Sequence, residues 1–144
     1  MHLGSLVKYM RMLGLDTLYR NDYTNDELVK ISHDEKRTIL TKDRSILKRN
    51  DVTHGYWVRS AEPEEQVKEI IDRFNLKDNI KEFSRCLQCN SGLVKKEKTE
   101  IEARLPPKVK ERINEFNYCP ACDKIYWKGS HYEKMKKILD KLFD

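Results

Sequence analysis

All four cysteines of this 144-residue chain lie in two Cys-x-x-Cys pairs, Cys86/Cys89 and Cys119/Cys122, and none is left over. Two such pairs supply the four soft ligands of a tetrahedral structural Zn²⁺ site. Because cysteine would fill every coordination position, the metal would have a structural role and not a catalytic one. The second half of the chain is therefore predicted to form a zinc ribbon.

Two other uses of the cysteines fit the sequence less well. Disulfides need an oxidising compartment, but the opening MHLGSLVKYMRMLG has charges inside its apolar stretch and no small-residue cleavage site of a secretory signal. A thioredoxin-like redox pair would explain one Cys-x-x-Cys and not two. The 29 residues between the pairs exceed the common ribbon spacing, but a longer loop costs little entropy.

Composition and charge favour a compact cytoplasmic protein with an anionic partner. Charged residues make up 37% of the chain, and no apolar run approaches the roughly 18 residues of a membrane span. The net charge of +5 lies entirely in residues 81–144, which carry 15 basic and 10 acidic residues, whereas residues 1–80 carry 14 of each. A basic zinc module beside a neutral domain suggests RNA or DNA as a partner, although a solvated lysine-rich surface has the same composition.

The hydrophobic pattern of residues 1–76 alternates between helices and strands. Helices are predicted over Leu3–Leu13, Asp26–Glu35 (capped by Asn25), Arg44–Arg49 and Pro63–Phe74, and strands over Leu15–Tyr19, Arg37–Thr41 and Tyr56–Arg59. This alternation is typical of a parallel α/β sheet, in which ligands and catalytic groups gather at the carboxyl ends of the strands.

The pattern changes after residue 76. Short strands are predicted at Gly92–Lys96, Phe116–Tyr118 and Ile125–Trp127, and helices at Lys108–Glu115 and Tyr132–Phe143. The predicted organisation is an α/β domain over residues 1–80, a zinc ribbon over 81–130, and a C-terminal helix over 131–144 packed on the ribbon or the domain.

Four carboxylates lie where the predicted strand ends would bring them together: Asp22, Asp26, Glu27 and Asp43. Asp43 directly follows the RTILT strand, and the other three follow the strand before it. Such a cluster can hold Mg²⁺ or Mn²⁺, which activates water and stabilises the charge that develops during phosphodiester hydrolysis. Each also has an ordinary interpretation: first-turn helix acids for Asp26 and Glu27, a loop acid for Asp22, and a helix cap for Asp43.

Basic and aromatic residues near these motifs are candidates for nucleic-acid contacts: Lys42, Arg44, Arg85, Lys124, Trp127, Lys128 and His131. Trp127 between its lysines fits either a stacking platform for a single strand or the core of the ribbon. His131 fits phosphate binding or proton transfer near neutral pH, or a cap on the last helix. Lys42 and Arg44 flank Asp43, where they would contact substrate phosphate or face solvent.

Several segments, in order along the chain, resemble the Mut-seven C-terminal RNase domain family. They are LGSLVKYMRMLGLDTLY, NDYTNDELV, ILTKDRSIL, VRSAEPEEQV, FSRCLQCN and CPACDKIYWKGSHYEKM. The combination of TKDR, SRCLQCN and YWKGSH is specific, whereas no single segment is. The resemblance implies a PIN-like nuclease fold fused to a zinc ribbon, with RNase activity at the acidic cluster.

The resemblance also implies roles for individual residues. Asp43 matches the acid of the family's Thr-(Lys/Arg)-Asp-Arg motif, and Asp26 and Glu27 fall on its acidic helix start. The four cysteines match its zinc ligands.

The sequence departs from the family pattern at its first residues. Members usually begin with a strand that ends in an aspartate just before the Met-x-Leu-Gly segment, and this chain begins at that methionine. In PIN-like sheets that strand is central, so without it backbone groups of the sheet would lack partners. Three explanations are open: a misassigned start codon, a shortened inactive relative that only binds, or a strand supplied by a neighbouring chain.

Together these features predict a metal-dependent ribonuclease-like protein. Asp43 and Asp26 would hold a catalytic Mg²⁺ or Mn²⁺, Glu27 or Asp22 would complete the site, and Zn²⁺ would be structural. A non-catalytic RNA-binding or ribosome-associated adaptor is the alternative, and a toxin-like nuclease subunit masked by a partner is a third. RNA is the expected partner, and a protein partner or homo-oligomer is left open.

Overall fold

The computed structural model describes residues 3–143, with side chains described at all of them except His131, Leu142 and Phe143. Its helices are Gly4–Met12 (α1), Asn25–Glu35 (α2), Arg44–Leu47 (α3), Pro63–Phe74 (α4), Lys98–Ile101 (α5), Pro107–Arg112 (α6) and Ser130–Phe143 (α7). Its strands are Ile39–Thr41 (β1), Gly55–Trp57 (β2), Val94–Lys96 (β3), Phe116–Cys119 (β4) and Lys124–Tyr126 (β5). Two single-turn 3₁₀ helices lie at Lys77–Asn79 and Glu102–Arg104.

The first part of the fold is a parallel strand pair covered by helices. β1 and β2 run in parallel with Leu40 opposite Tyr56 and Thr41 opposite Trp57. The main hydrophobic core joins the apolar faces of α1 and α4 to the end of β2 and to α7. Its most buried side chains include Leu6, Leu13, Val58, Val67, Ile70, Ile71 and Leu139. The predicted mixed α/β class is confirmed, with a parallel sheet of two strands within residues 3–143.

The predicted strand at Leu15–Tyr19 is wrong, because the segment is irregular. Side chains satisfy its backbone in place of a neighbouring strand: the Thr17 N–H donates to Asn90 Oδ1 at 2.9 Å, and the Thr17 carbonyl accepts from Arg11 Nε at 3.0 Å. The acidic residues that follow are therefore placed by a loop and not by a strand end.

The ends of the first two helices follow from local chemistry. α1 stops at Gly14, whose φ of 81° suits glycine, and a Cβ there would lie 2.1 Å from the carbonyl oxygen of Lys81. α2 begins with a capping box in which the Thr24 hydroxyl accepts from the Glu27 N–H and the Glu27 carboxylate accepts from the Thr24 N–H. The cap is therefore Thr24 and not Asn25, as the sequence predicted.

The second part of the fold is a three-stranded antiparallel sheet in the order β3-β4-β5. It encloses a small core of Ile101, Leu105 and Phe116. The C-terminal helix α7 packs against α4, and Tyr132 and Leu139 of α7 belong to the main core. Within the described residues, no helix combines the length and apolarity that crossing a bilayer requires.

Candidate functional site

The four cysteine Sγ atoms converge at one point. They lie within 4.8 Å of one another, and Cys86 and Cys119 are completely buried. Tetrahedral Zn²⁺ with Zn–S bonds of about 2.3 Å separates its sulfur ligands by about 3.8 Å, and Cys89 Sγ lies 3.5 Å from Cys119 Sγ. The cluster therefore fits a metal ion such as Zn²⁺, held by an all-sulfur ligand set with no open position.

Each Cys-x-x-Cys pair is wrapped around a tight turn. The first turn ends at Asn90 with φ 73° and the second at Asp123 with φ 56°, and these residue types tolerate the left-handed backbone. The second turn also places a hydrogen-bond donor at a sulfur atom: the Cys122 N–H donates to Cys119 Sγ at 3.3 Å. Each turn therefore brings its own two sulfur atoms together by local backbone geometry.

Outside these turns, side chains fasten the first knuckle to the N-terminal part of the fold. The buried amide of Asn90 donates to Asp16 Oδ1 at 2.7 Å. Arg85 donates to the carbonyl oxygens of Gly14 and Asn90. On the side of the antiparallel sheet, Tyr126 of β5 contacts Cys86, with 3.0 Å between the hydroxyl oxygen and Sγ. Arg85 therefore serves as a link in the fold in addition to its predicted nucleic-acid contact.

Asp43 lies just beyond the carboxyl end of β1, where it caps α3. Its Oδ1 accepts hydrogen bonds from the Ser45 hydroxyl at 2.7 Å and the Ser45 N–H at 2.9 Å. These two bonds lower the pKa of the Asp43 carboxyl. No hydrogen bond to Oδ2 occurs in the described part of the chain, so that oxygen is available to a ligand.

Two of the other predicted carboxylates are engaged by neighbours in sequence. Asp22 forms a two-point ion pair with Arg20, with N···O distances of 3.0 and 2.9 Å. That pair lowers the pKa of Asp22. Glu27 uses its carboxylate in the capping box with Thr24.

Asp26 is held by a more distant residue. Its side chain is 87% exposed and accepts a hydrogen bond of 2.7 Å from Arg49, which also binds Asp51. Within residues 3–143, the four cysteines are the only group of three or more His, Cys, Asp or Glu side chains close enough to share a metal ion. The described positions therefore do not assemble the predicted acidic cluster, and its catalytic role stays a prediction.

The two cations that flank Asp43 have defined contacts. Lys42 Nζ donates to the carbonyl oxygens of Arg59 at 3.3 Å and Ser60 at 3.0 Å, which ties the end of β1 to the segment after β2. The Arg44 guanidinium lies over the indole of Trp57, with 4.6 Å between Cζ and the ring centroid. Both predicted residues therefore lie at the carboxyl edge of the strand pair.

Glu69 completes this edge from α4, and no sequence pattern distinguished it from other helical acids. Its carboxylate accepts hydrogen bonds from the Arg59 and Ser60 N–H groups, at 2.9 and 2.8 Å, and from the Tyr56 hydroxyl. Burial opposes ionisation of Glu69, but these hydrogen bonds outweigh it and lower the pKa to about 2. Glu69 therefore fixes the backbone that follows β2.

The remaining candidates for nucleic-acid contacts lie around β5. Trp127 is half-buried and packs edge-on against Phe116, with 6.2 Å between ring centroids, a position in the ribbon core. Lys124 is exposed, and Lys128 Nζ lies 5.5 Å from the centroid of the Tyr132 ring. The side chain of His131 lies outside the described residues. Contacts of these residues with RNA stay predictions.

The fold and site define a small α/β protein joined to a four-cysteine metal module. The model of the Mut7-C RNAse domain family matches residues 1–139, so the chain belongs to this family and the sequence resemblance is confirmed. A comparison with curated proteins found no match, and a comparison with solved structures found none. Membership indicates a ribonuclease-type protein, with RNA as its substrate or partner.

Proposed function

We propose that this protein is a metal-dependent ribonuclease that hydrolyses phosphodiester bonds of RNA. The observation that carries the proposal is the position of Asp43 in the TKDR segment of a chain from an RNase family. Asp43 follows the carboxyl end of a parallel strand, where α/β proteins place their ligands. It has one carboxylate oxygen engaged by Ser45 and the other available.

Asp43 and Asp26 would hold the catalytic Mg²⁺ or Mn²⁺, and Glu27 or Asp22 would complete the ligand set. Carboxylate oxygens are the ligands that these hard cations prefer. When bound, such an ion lowers the pKa of a water molecule and stabilises charge on the phosphate. Asp26 and Asp22 would have to leave Arg49 and Arg20 and approach Asp43 to share the ion, because the three carboxylates are not grouped in the described structure. Asp43 would bind the ion without giving up its cap.

The zinc ribbon would bind RNA and take no part in the chemistry. Its all-cysteine ligand set leaves no position for a substrate, and the basic surplus of residues 81–144 would attract phosphates. The proposal includes a PIN-like arrangement for the α/β part. The parallel pair β1–β2 and its flanking helices are compatible with that arrangement.

The test is cleavage of end-labelled single-stranded and structured RNA in the presence of Mn²⁺ or Mg²⁺. Asp43→Asn should abolish cleavage, because the neutral amide binds a divalent cation far more weakly than the charged carboxylate does. Asp34→Asn is the matched control, since Asp34 is an exposed acid paired with Lys30 on the surface of α2. Cleavage by Asp43→Asn at the wild-type rate would remove Asp43 from the mechanism.

The second candidate is a non-catalytic RNA-binding adaptor. The engagement of Asp22, Asp26 and Glu27 by other residues of the fold favours it. An adaptor would bind RNA with an affinity that falls steeply as the salt concentration rises. It would not cleave RNA in the presence of Mn²⁺ or Mg²⁺. That combination of results would replace the enzyme proposal.

A further inference from the structure

The carboxyl edge of the strand pair carries an aromatic residue that the proposed chemistry does not use. Trp57 is the last residue of β2 and lies opposite Thr41 in the parallel register. Thr41 precedes Asp43 by two residues in the sequence. The Cζ atoms of Arg44 and Arg59 lie 4.6 and 5.3 Å from the centroid of its ring. One half-buried indole therefore contacts two guanidinium groups beside the proposed catalytic acid.

The charges around this indole are unbalanced. Arg44 and Arg59 are exposed, and within residues 3–143 neither forms an ion pair with a carboxylate. Lys42 brings a third cation to the same edge through its bonds to the carbonyl oxygens of Arg59 and Ser60. Like charges this close repel one another, and a bound anion would remove the repulsion.

In the part of the chain that the structure describes, the nearby carboxylates form no direct ion pair with these cations. Asp43 directs one oxygen to Ser45. Glu69 directs its oxygens to the Arg59 and Ser60 N–H groups and to the Tyr56 hydroxyl. The Arg59 guanidinium has a neutral partner, the Tyr56 hydroxyl, at 3.0 Å. The guanidinium groups thus retain donors for a phosphate.

We propose that Trp57, Arg44 and Arg59 form a subsite for one nucleotide of single-stranded RNA. The base would stack on the indole–guanidinium surface, and the guanidinium groups would bind the flanking phosphates. The register places this nucleotide next to the phosphodiester bond that Asp43 would address. The inference rests on the proposed function for the identity of the ligand, and it concerns binding and not the cleavage step.

Fluorescence of Trp57 tests the subsite directly. The chain has two tryptophans, so Trp127→Phe leaves Trp57 as the only indole reporter. Titration of this variant with a ten-nucleotide oligouridine, without Mg²⁺ or Mn²⁺, should quench the emission saturably. A double-stranded RNA of equal length should not quench it, because paired bases cannot stack on the indole.

Substitutions measure the contribution of each side chain, with RNA binding followed by anisotropy of a labelled oligouridine. Trp57→Ala should weaken binding by about tenfold. Arg44→Ala and Arg59→Ala should each reduce the slope of log affinity against log salt by about one. Arg73→Ala is the matched control, because Arg73 lies over the rings of Phe74 and Tyr56 and not over Trp57; it should leave both quantities unchanged.

The outcomes separate the subsite from the nuclease. If the oligouridine binds but Trp57 emission does not change, the subsite is wrong, whatever the cleavage assay gives. If Trp57 is quenched but Asp43→Asn cleaves normally, the subsite stands and the assignment of Asp43 falls. The quenching experiment keeps Trp57 intact, because it uses the folded Trp127→Phe variant. The subsite can therefore be tested even if Trp57→Ala does not fold.

Discussion

The Arg11 guanidinium donates a hydrogen bond of 2.9 Å from Nη1 to the carbonyl oxygen of Leu87, which joins α1 to the turn between Cys86 and Cys89. The same guanidinium also donates to the carbonyl oxygens of Gln88 at 3.1 Å and Thr17 at 3.0 Å. Only 5% of Arg11 is exposed. Burial lowers its pKa, and the nearby cysteine thiolates oppose that shift. The first helix and the first knuckle therefore depend on one another.

Arg11→Met should destabilise the zinc-loaded protein by about 2 to 4 kcal/mol, because it leaves carbonyl oxygens of Thr17, Leu87 and Gln88 without this donor. Urea unfolding followed by circular dichroism measures the loss. Lys8→Met is the control, since Lys8 lies exposed on the same helix. Equal unfolding midpoints for the two variants would show that the link contributes nothing.

Tyr126→Phe should leave one zinc ion per chain but accelerate its release. The substitution removes the hydroxyl that lies 3.0 Å from Cys86 Sγ, and loss of such outer contacts typically weakens metal affinity 10- to 100-fold. Elemental analysis gives the stoichiometry, and transfer to a coloured chelator gives the rate. Tyr118→Phe is the control, because that hydroxyl binds Asp123 and not a cysteine. Cys119→Ser should lose the metal.

Local patterns in the sequence predicted the elements that local forces determine. α4 has the predicted bounds, Pro63–Phe74, because proline at its first turn and a regular apolar stripe specify the helix without outside help. The two thiols of each cysteine pair lie together as their spacing indicated, since each tight turn positions its own pair, and the two pairs meet at one point.

Long-range partners explain what the sequence did not reveal. Leu15–Tyr19 has a strand-like composition, yet its hydrogen bonds go to Asn90, 73 residues after Thr17. Arg11 is a charged residue outside the apolar stripe of α1, a pattern typical of a solvent-facing position, but the knuckle covers it. The strand-end position of Asp43 was predictable, whereas the pairing of Asp26 with Arg49 depends on how α2 and α3 pack.

Two substitutions at Asp43 should separate its structural role from its catalytic one. Asparagine caps a helix about as well as aspartate, so Asp43→Asn should retain wild-type thermal stability while losing cleavage. Asp43→Ala should lose cleavage and also melt at a lower temperature than wild type, because the Ser45 N–H and hydroxyl lose their acceptor. Thermal melts beside the cleavage assay distinguish the two effects. A destabilised Asp43→Asn would assign its inactivity to misfolding.

Glu69→Gln should reduce the acid sensitivity of the fold. The pKa of Glu69 is depressed from its ordinary value to about 2 in the folded protein. Its ionised form therefore stabilises the fold fully above the unfolded pKa, near 4.5, and this contribution disappears as pH falls toward 2.

We expect wild type to lose about 1 to 2 kcal/mol over this window through Glu69, after allowance for solvent screening of a partly exposed group. The glutamine variant should lack that component and show a flatter dependence of unfolding free energy on pH between 4.5 and 2. Urea unfolding at half-unit pH intervals provides the curves. Glu65→Gln is the control, because Glu65 is an exposed acid in the first turn of the same helix. Parallel curves for wild type and Glu69→Gln would show that the contacts with Tyr56, Arg59 and Ser60 do not stabilise the ionised carboxylate.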